Sequence, residues 1–489
     1  MVLSDIKRIS KHSLGFFIGT ILTQAIGFFL LPIYTRYLTP ADYGIISIAS
    51  VIASILSIVY IFGMRGAIGR FYFDYYHDKN ELREYISTIC ITVFSVSFVL
   101  TLLLYLWGDA IFSVVTPEIP FYPYLTLVIW TTFLSIPLNF AFILLQTRER
   151  SLIYSLINVV KFLLASAAII IFVVLFQEGA LGSLKGQLIA TAVFCFVGLA
   201  LLRKDIGLSF SQKKLRESLS FGLPMIPHEL AGWTSSLIDR ILLASYTTLT
   251  TVGLYSLGYT FGSILSLVTT SINFAWVPFF FSTAKEKGKE AGPIFARLTS
   301  FYVIFLLFMA LGIALFSENL IILLTTPEFY GAARIVPFIV LVFVFDGMYY
   351  MVVNQLFFVK KTGFVSFSTL TAALLNVGLN VLLIPRYGMA GAAMAAVMSY
   401  AYSFVLVFYF SQKHYPIKYE YTRIAKTCSL ALGVFLIALT LPELDMLYDI
   451  ASKCLLIGGY LAGIVIFGII TPKELAIWKT IPAVSRFLK

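Results

Sequence analysis

Long apolar runs alternate with short polar breaks from about Leu14 almost to the end of the chain. A helix needs roughly 20 mostly apolar residues to cross a bilayer, and each run is near that length. The pattern predicts about fourteen membrane helices. The first seven lie over residues 14–35, 44–63, 85–107, 121–145, 152–175, 181–202 and 220–243. The remaining seven lie over 251–273, 297–316, 334–358, 364–385, 389–410, 422–441 and 450–471. Lys7, Arg8 and Lys11 precede the first run, as in a secretion signal, but the run is too long for one and no small-x-small cleavage site closes it. It is read as a retained first helix.

Composition agrees with this pattern. Hydrophobic residues make up 60% of the 489 residues and charged residues 12%, against roughly 25% charged in soluble domains. A soluble fold is excluded, and the expected class is an all-α integral membrane protein. Of the 35 lysines and arginines, 28 fall in alternate connections or at the termini, and only Arg36, Lys185, Arg334 and Arg386 in the other connections. Basic residues stay on the cytoplasmic side, so both termini are expected in the cytoplasm. The net charge of +11 is then a signature of topology and no sign of nucleic acid. Cys90, Cys195, Cys428 and Cys454 lie in or beside apolar runs without metal-ligand or redox spacing, and are read as buried small hydrophobes. No metal site or cofactor is expected.

The chain also repeats. With an offset of 209, Tyr37 aligns with Tyr246, Thr39 with Thr248, Gly44 with Gly253, Ser47 with Ser256, and Ser54-Ile55-Leu56 with Ser263-Ile264-Leu265. Further on, Thr116-Pro117-Glu118 meets Thr326-Pro327-Glu328 after one inserted residue, and Gly179 and Gly182 meet Gly388 and Gly391. Each copy holds six helices, and an even number inserts both the same way up. The expectation is two parallel, pseudo-symmetric six-helix lobes plus two C-terminal helices. The lobes are placed at 1–210 and 211–411, and the last helix pair with a cytoplasmic tail at 412–489. Parallel-repeat transporters alternate access at the interface between such lobes.

An ionisable side chain inside a membrane helix is costly unless it meets water, a partner or a ligand. Helix 7 is the most polar span. His228, Gly232, Ser235 and Asp239 step by helical spacing, and Glu229, Trp233, Ser236 and Arg240 form the adjacent row. The stripe extends roughly 16 Å at 1.5 Å per residue, and Pro224 and Pro227 before it suggest a broken turn. It lines a cavity or packs against its neighbours with its polar groups satisfying one another. Gln24, with Thr20 and Gly27, makes a milder stripe on helix 1. Lys161 in helix 5 and Glu229 share a depth, which makes an ion pair between them conceivable. Asp346 in helix 10, beside Gly347, Tyr350 and Asn354, is a candidate proton or Na⁺ carrier, as is Glu229. Arg65 and Arg70, at the inner end of helix 2, have the fork-shaped donors that hold a pyrophosphate, and also the charge of ordinary cytoplasmic anchors. No extramembrane segment is long enough for a catalytic domain.

Several segments resemble one family. Leu31-Pro32-Ile33-Tyr34-Thr35-Arg36-Tyr37-Leu38-Thr39-Pro40-Ala41-Asp42-Tyr43-Gly44 is similar to the entry segment of bacterial oligosaccharide flippases, in the multidrug/oligosaccharidyl-lipid/polysaccharide exporter superfamily. Arg70-Phe71-Tyr72-Phe73, Asp239-Arg240-Ile241-Leu242-Leu243 and Val252-Gly253-Leu254-Tyr255-Ser256 resemble it too. The resemblance implies two six-helix lobes that flip an undecaprenyl-pyrophosphate-linked glycan outward across a bacterial inner membrane. The headgroup would cross in a hydrated cavity while the tail stays among membrane lipids. It also implies coupling to H⁺ or another ion such as Na⁺, and polysaccharide assembly proteins as partners. A lipid II flippase and a multidrug:cation antiporter of the same superfamily are the alternatives, although the antiporter branch often has an acidic residue in helix 1, where Gln24 stands here. A membrane-embedded glycan polymerase or glycosyltransferase is disfavoured by the short outer loops near 108–120 and 317–333.

Overall fold

The computed structural model describes residues 19, 22–442, 445–470 and 474. Lys7, Arg8, Lys11, Thr20 and the basic residues of the C-terminal tail lie outside them. Among the described residues the structure is helical without strands. The first half contains α1 (22–37), α2 (Pro40–Ile61), α3 (Met64–Tyr75), α4 (Lys79–Val115), α5 (Phe121–Thr147), α6 (Ser151–Leu175), α7 (Gly179–Leu202) and α8 (Gln212–Gly222). Then follow α9 (Ile226–Tyr246), α10 (Leu249–Lys287), α11 (Ala291–Leu324), α12 (Pro327–Phe358), α13 (Thr362–Tyr387), α14 (Met389–His414), α15 (Tyr421–Leu439) and α16 (Met446–Ile466). Twelve of them are long and apolar enough to cross a membrane. With α1 and the more polar α9, each of the predicted membrane helices has a counterpart. The protein is an all-α membrane protein, as the hydrophobic pattern requires.

Helix ends depart from the apolar runs. α4 has 37 residues, about 55 Å at 1.5 Å per residue, well beyond a hydrocarbon core of about 30 Å. Its polar first turns stay helical because Asp78 caps them, accepting from the Asn80 and Glu81 amides at 2.7 and 3.3 Å. α2 starts on a capping box. Thr39 and Asp42 bond each other's amides, and Pro40 occupies the first helical turn, where a missing N–H costs nothing. α3 and α8 are short helices outside the twelve spans. Pro224 and Pro227 mark the 3₁₀ turn Leu223–Met225 and the start of α9, so the broken turn separates α8 from α9.

The repeat found in the sequence has a physical counterpart. Ser47 and Ser256 stand 209 residues apart and their hydroxyls hydrogen-bond at 2.6 Å. A Cβ on Gly44 would overlap the Leu249 carbonyl, and one on Gly253 the Pro40 carbonyl. Equivalent positions of two copies can touch each other only where a twofold axis passes, so the pseudo-symmetry axis runs between α2 and α10.

By packing, the described residues form two compact units. The first takes the residues up to Leu257 with Leu324–Ala332 and Thr369–Ser399. The second takes Gly258–Leu323, Ala333–Ser368 and the residues from Tyr400 onward. The first unit thus includes one end of each of α10, α11, α12, α13 and α14 together with the whole first repeat. Inside the second unit, the α15–α16 hairpin packs on α11 through Ile304, Leu311, Ala431, Val434 and Ile464. The Tyr460 hydroxyl there donates to the Ile304 carbonyl at 3.1 Å. A polar clamp reinforces it: Lys453 donates to Asp449 at 2.6 Å and to Asn319 at 2.7 Å, and Asn319 donates to Asp449 at 2.7 Å. The four cysteines are free; Cys90 is buried, whereas Cys428 and Cys454 are exposed rather than buried as expected.

Candidate functional site

The polar stripe of helix 7 lies on α9, in the first unit, and its two ends are treated differently. Toward its C-terminal end, Asp239 and Arg240 are buried and pair at 3.3 Å. The Tyr255 hydroxyl of α10 donates to the second Asp239 oxygen. Arg240 also donates to the Ser236 carbonyl at 3.1 Å and lies over the Tyr255 ring, 5.8 Å from its centre. Two charges inside a membrane helix therefore satisfy one another, with a tyrosine from α10 closing the set. In the middle, Trp233 donates to Ser54 of α2 at 2.7 Å, and the buried Ser235 hydroxyl has no hydrogen-bond partner among the described residues. Near the start, Glu229 is half-buried without an ion pair among the described residues. The His228 side chain falls outside the description.

The other residues singled out from sequence are scattered over the same unit. Lys161 lies half-buried on α6, beside Phe162, whose ring packs against Gly27 of α1. No ion pair joins Lys161 to Glu229 or to any other described residue. Gln24 is exposed on α1. Arg65 and Arg70 are exposed on α3, where Arg70 makes a surface pair with Asp74 at 2.8 Å. A motif the sequence reading passed over lies on α13. Asn376 and Asn380 are buried one helical turn apart and bonded side chain to side chain at 3.0 Å, leaving one polar atom of each unsatisfied.

Two basic residues around α3 and α8, Arg148 and Lys214, are committed to structure. Arg148 makes a forked pair with Asp205 at 2.6 and 2.9 Å and donates to the Tyr72 hydroxyl at 3.2 Å. The Asp205 bonds lift its pKa further above the usual guanidinium range, against the opposing effect of burial. Lys214, buried on α8, bridges Glu81 and Glu84 of α4, each at 2.6 Å. Burial works against its charge, but the two carboxylates prevail and its pKa is raised. Burial and a hydrogen bond to Glu217 push the Tyr75 phenol up to about 12. α8 is thus strapped to α3 and α4. Arg65, Lys213 and Arg216 are exposed without an ion pair among the described residues.

In the second unit, Asp346 is half-buried on α12 and accepts a hydrogen bond from Tyr350 one turn on. The neighbouring Gly347 leaves room for Tyr302 of α11, whose buried hydroxyl has no hydrogen-bond partner among the described residues. Asn354 donates to the Tyr350 carbonyl at 3.0 Å. A carboxylate with two phenols nearby, on an apolar span, is a group that can exchange a proton or coordinate a monovalent cation. Among the described residues no three His, Cys, Asp or Glu side chains cluster as metal ligands.

Known proteins resemble this chain along most of its length. A protein of the Lsg locus of Haemophilus influenzae is 23% identical over 366 residues, covering 73% of this chain and 87% of its own. The probable low-salt glycan biosynthesis flippase Agl15 of Haloferax volcanii is 20% identical over 425 residues, 85% of this chain and 86% of its own. Among solved structures, the lipid II flippase MurJ in its inward closed conformation superposes with a TM-score of 0.72 at 15% identity, over 92% of this chain and 98% of that one; this likeness is one of fold. The family profile described as "Polysaccharide biosynthesis protein" matches residues 11–284. More than half of the chain carries that signature, and the protein belongs to the polysaccharide biosynthesis protein family.

Proposed function

We propose that the protein is a flippase that moves a polyprenyl-pyrophosphate-linked oligosaccharide from the cytoplasmic to the outer leaflet of a bacterial inner membrane. The carrier lipid is undecaprenyl pyrophosphate, the product feeds surface polysaccharide assembly, and both termini face the cytoplasm. The lobes are 1–210 and 211–411, and the segment 412–489 is an accessory helix pair with its tail. The observation that carries the reading is the contrast along α9 and α6. Asp239 and Arg240 compensate each other, but Lys161 and Glu229 stand within apolar helices without an ion pair among the described residues. Such groups persist in a membrane protein where water or a polar cargo reaches them. Gln24 and Ser235 extend that wet surface.

The physics of the cargo fits this division. A pyrophosphate and sugar hydroxyls lose strong hydration in hydrocarbon, while a polyprenyl tail loses nothing there. Arg65 and Arg70 meet the diphosphate at the cytoplasmic mouth, and Asp346 or Glu229 carries the H⁺ or Na⁺ that drives the cycle. The relatives' names support this cargo class: one is a probable glycan biosynthesis flippase. The test is reconstitution. Purified protein in liposomes should expose a fluorescent polyprenyl-pyrophosphate glycan, loaded in the inner leaflet, to a membrane-impermeant quencher. No translocation of its cognate lipid under either an H⁺ or a Na⁺ gradient would overturn the proposal.

A further inference from the structure

The α1–α2 and α9–α10 turns lie at one end of the first unit, and there the two repeats hold each other reciprocally. The loop after α4, in the first repeat, reaches the second repeat: Glu118 accepts from the Leu249 amide at the start of α10 at 3.2 Å. The equivalent loop after α11 reaches back. Thr326 donates to the Thr35 carbonyl at 3.1 Å, Thr35 donates to the Leu324 carbonyl at 3.4 Å, and Phe329 meets Tyr43 edge-on with ring centres 5.9 Å apart. Between these two arms lie Gly44 against α10, Gly253 against α2, and the Ser47–Ser256 hydrogen bond. Every one of these links joins the first repeat to the second; the two glycine contacts mirror each other, and the Ser47–Ser256 bond joins symmetry-equivalent residues.

We infer that this seam is the extracytoplasmic gate of the transporter, closed in this structure. The inference rests on the proposed orientation and on alternating access. A carrier built from two like-oriented repeats shuts one end of its passage by contacts between repeats and breaks them in the opposite half-cycle. The seam has the required properties. It straddles the pseudo-symmetry axis, it contains no covalent connection within a repeat that would prevent separation, and its polar links can all be replaced by bonds to water when α2 and α10 part. The glycine pair sets how far it closes. With no side chain at either position the two backbones touch, and any Cβ there meets a carbonyl oxygen that cannot move aside.

Two opposite perturbations test the gate. In a background lacking Cys90, Cys195, Cys428 and Cys454, Ser47→Cys with Ser256→Cys should cross-link on mild oxidation or with a short bifunctional thiol reagent. Glycan translocation should then stop and return on reduction of the disulfide, while each single cysteine leaves it unchanged. Gly253→Ala should do the reverse and hold the seam apart. A cysteine at Ser236 on α9 should then react faster with a membrane-impermeant thiol reagent added from outside, and the cross-linked protein should block that reaction. Full cross-linking with undiminished translocation would overturn the gate and leave the flippase reading standing, as would failure of the pair to cross-link at all. If the reduced protein moves no glycan, the flippase reading falls, and the labelling of Ser236→Cys still decides the gate: equal rates in Gly253→Ala, cross-linked and parent proteins would overturn it.

Discussion

Replacing Arg240 by glutamine tests whether the α9 ion pair is a structural lock. Arg240 and Asp239 are both buried, and their side chains are 8% and 6% exposed, so the surviving carboxylate would have no water to turn to. Removing one member of a buried pair costs about 3–5 kcal/mol, because the other charge stays desolvated. At 1.4 kcal/mol per factor of ten, that lowers the folding equilibrium by roughly a hundredfold to several thousandfold. In Asp239→Asn with Arg240→Gln the charge leaves with its partner, and the cost should fall to that of weakened hydrogen bonds, about 1–3 kcal/mol. Tyr255→Phe, which removes one donor to Asp239, should cost about 1.5–3 kcal/mol, as expected of a bond to a charged group. The assay is reversible unfolding of the parent, Arg240→Gln, Asp239→Asn, their double variant and Tyr255→Phe by a denaturing detergent in mixed micelles, followed by tryptophan fluorescence. The double variant should be more stable than Arg240→Gln alone, a coupling of at least ~2 kcal/mol. If the two single costs simply add, the pair does not compensate itself and the reasoning fails.

Three further outcomes follow from other contacts. Lys161→Glu and Glu229→Lys should each lower glycan translocation by about tenfold, equivalent to ~1.4 kcal/mol, with expression and fold unchanged; wild-type rates in both would remove them from the passage, and recovery in the double swap would show that they meet during the cycle. Lys214 has a raised pKa, so the stability it contributes is fully present below the ordinary lysine value of about 10.4 and is lost as pH rises through its folded value. Tyr75, pushed up to about 12, adds a loss of the same sign from about pH 10 upward, so proteolysis of the α7–α8 connection should accelerate above that pH in the parent and show a flatter pH response in Lys214→Met with Tyr75→Phe. Asn319→Leu should loosen the α16 clamp by about 1.5–3 kcal/mol, as expected for hydrogen bonds to charged groups, read as a lower midpoint of thermal unfolding in micelles; no change would mean that Lys453 and Asp449 suffice on their own.

How far the sequence could be read depended on whether the relevant constraint is local. Membrane helices are legible because the bilayer asks each segment for length, apolarity and internally bonded backbone, and a run such as 152–175 supplies all three by itself. α3 and α8 carry no long apolar run because they are short and polar, held by Arg148 on Tyr72, by Glu81 and Glu84 on Lys214, and by the Tyr75–Glu217 bond between the two. α4, α10 and α11 extend beyond their apolar runs for a related reason, since a helix continues into water wherever a cap such as Asp78 holds it. The repeat offset paired Ser47 with Ser256, but an alignment says that two positions are equivalent and nothing about whether they touch. Contact between equivalent residues is a property of the axis, which exists only once α2 and α10 have packed.

The polar stripe of α9 shows the same division at the scale of one helix. Helical spacing placed Asp239 and Glu229 on adjoining rows, with no means of telling them apart. A charge in an apolar helix announces that something must satisfy it, and the identity of that something lies on other helices. For Asp239 it is Arg240 beside it together with Tyr255, sixteen residues on and across a turn. For Glu229 and Lys161 no described side chain completes an ion pair. Desolvating a charge costs several kcal/mol whether or not a partner is near, and on the proposed function the two cases differ in what reaches them: protein in the first, water or cargo in the second. The division between lock and passage therefore rests on tertiary partners, and on the proposed function Lys161 and Glu229, without an ion pair among the described residues, are where a polar headgroup would act.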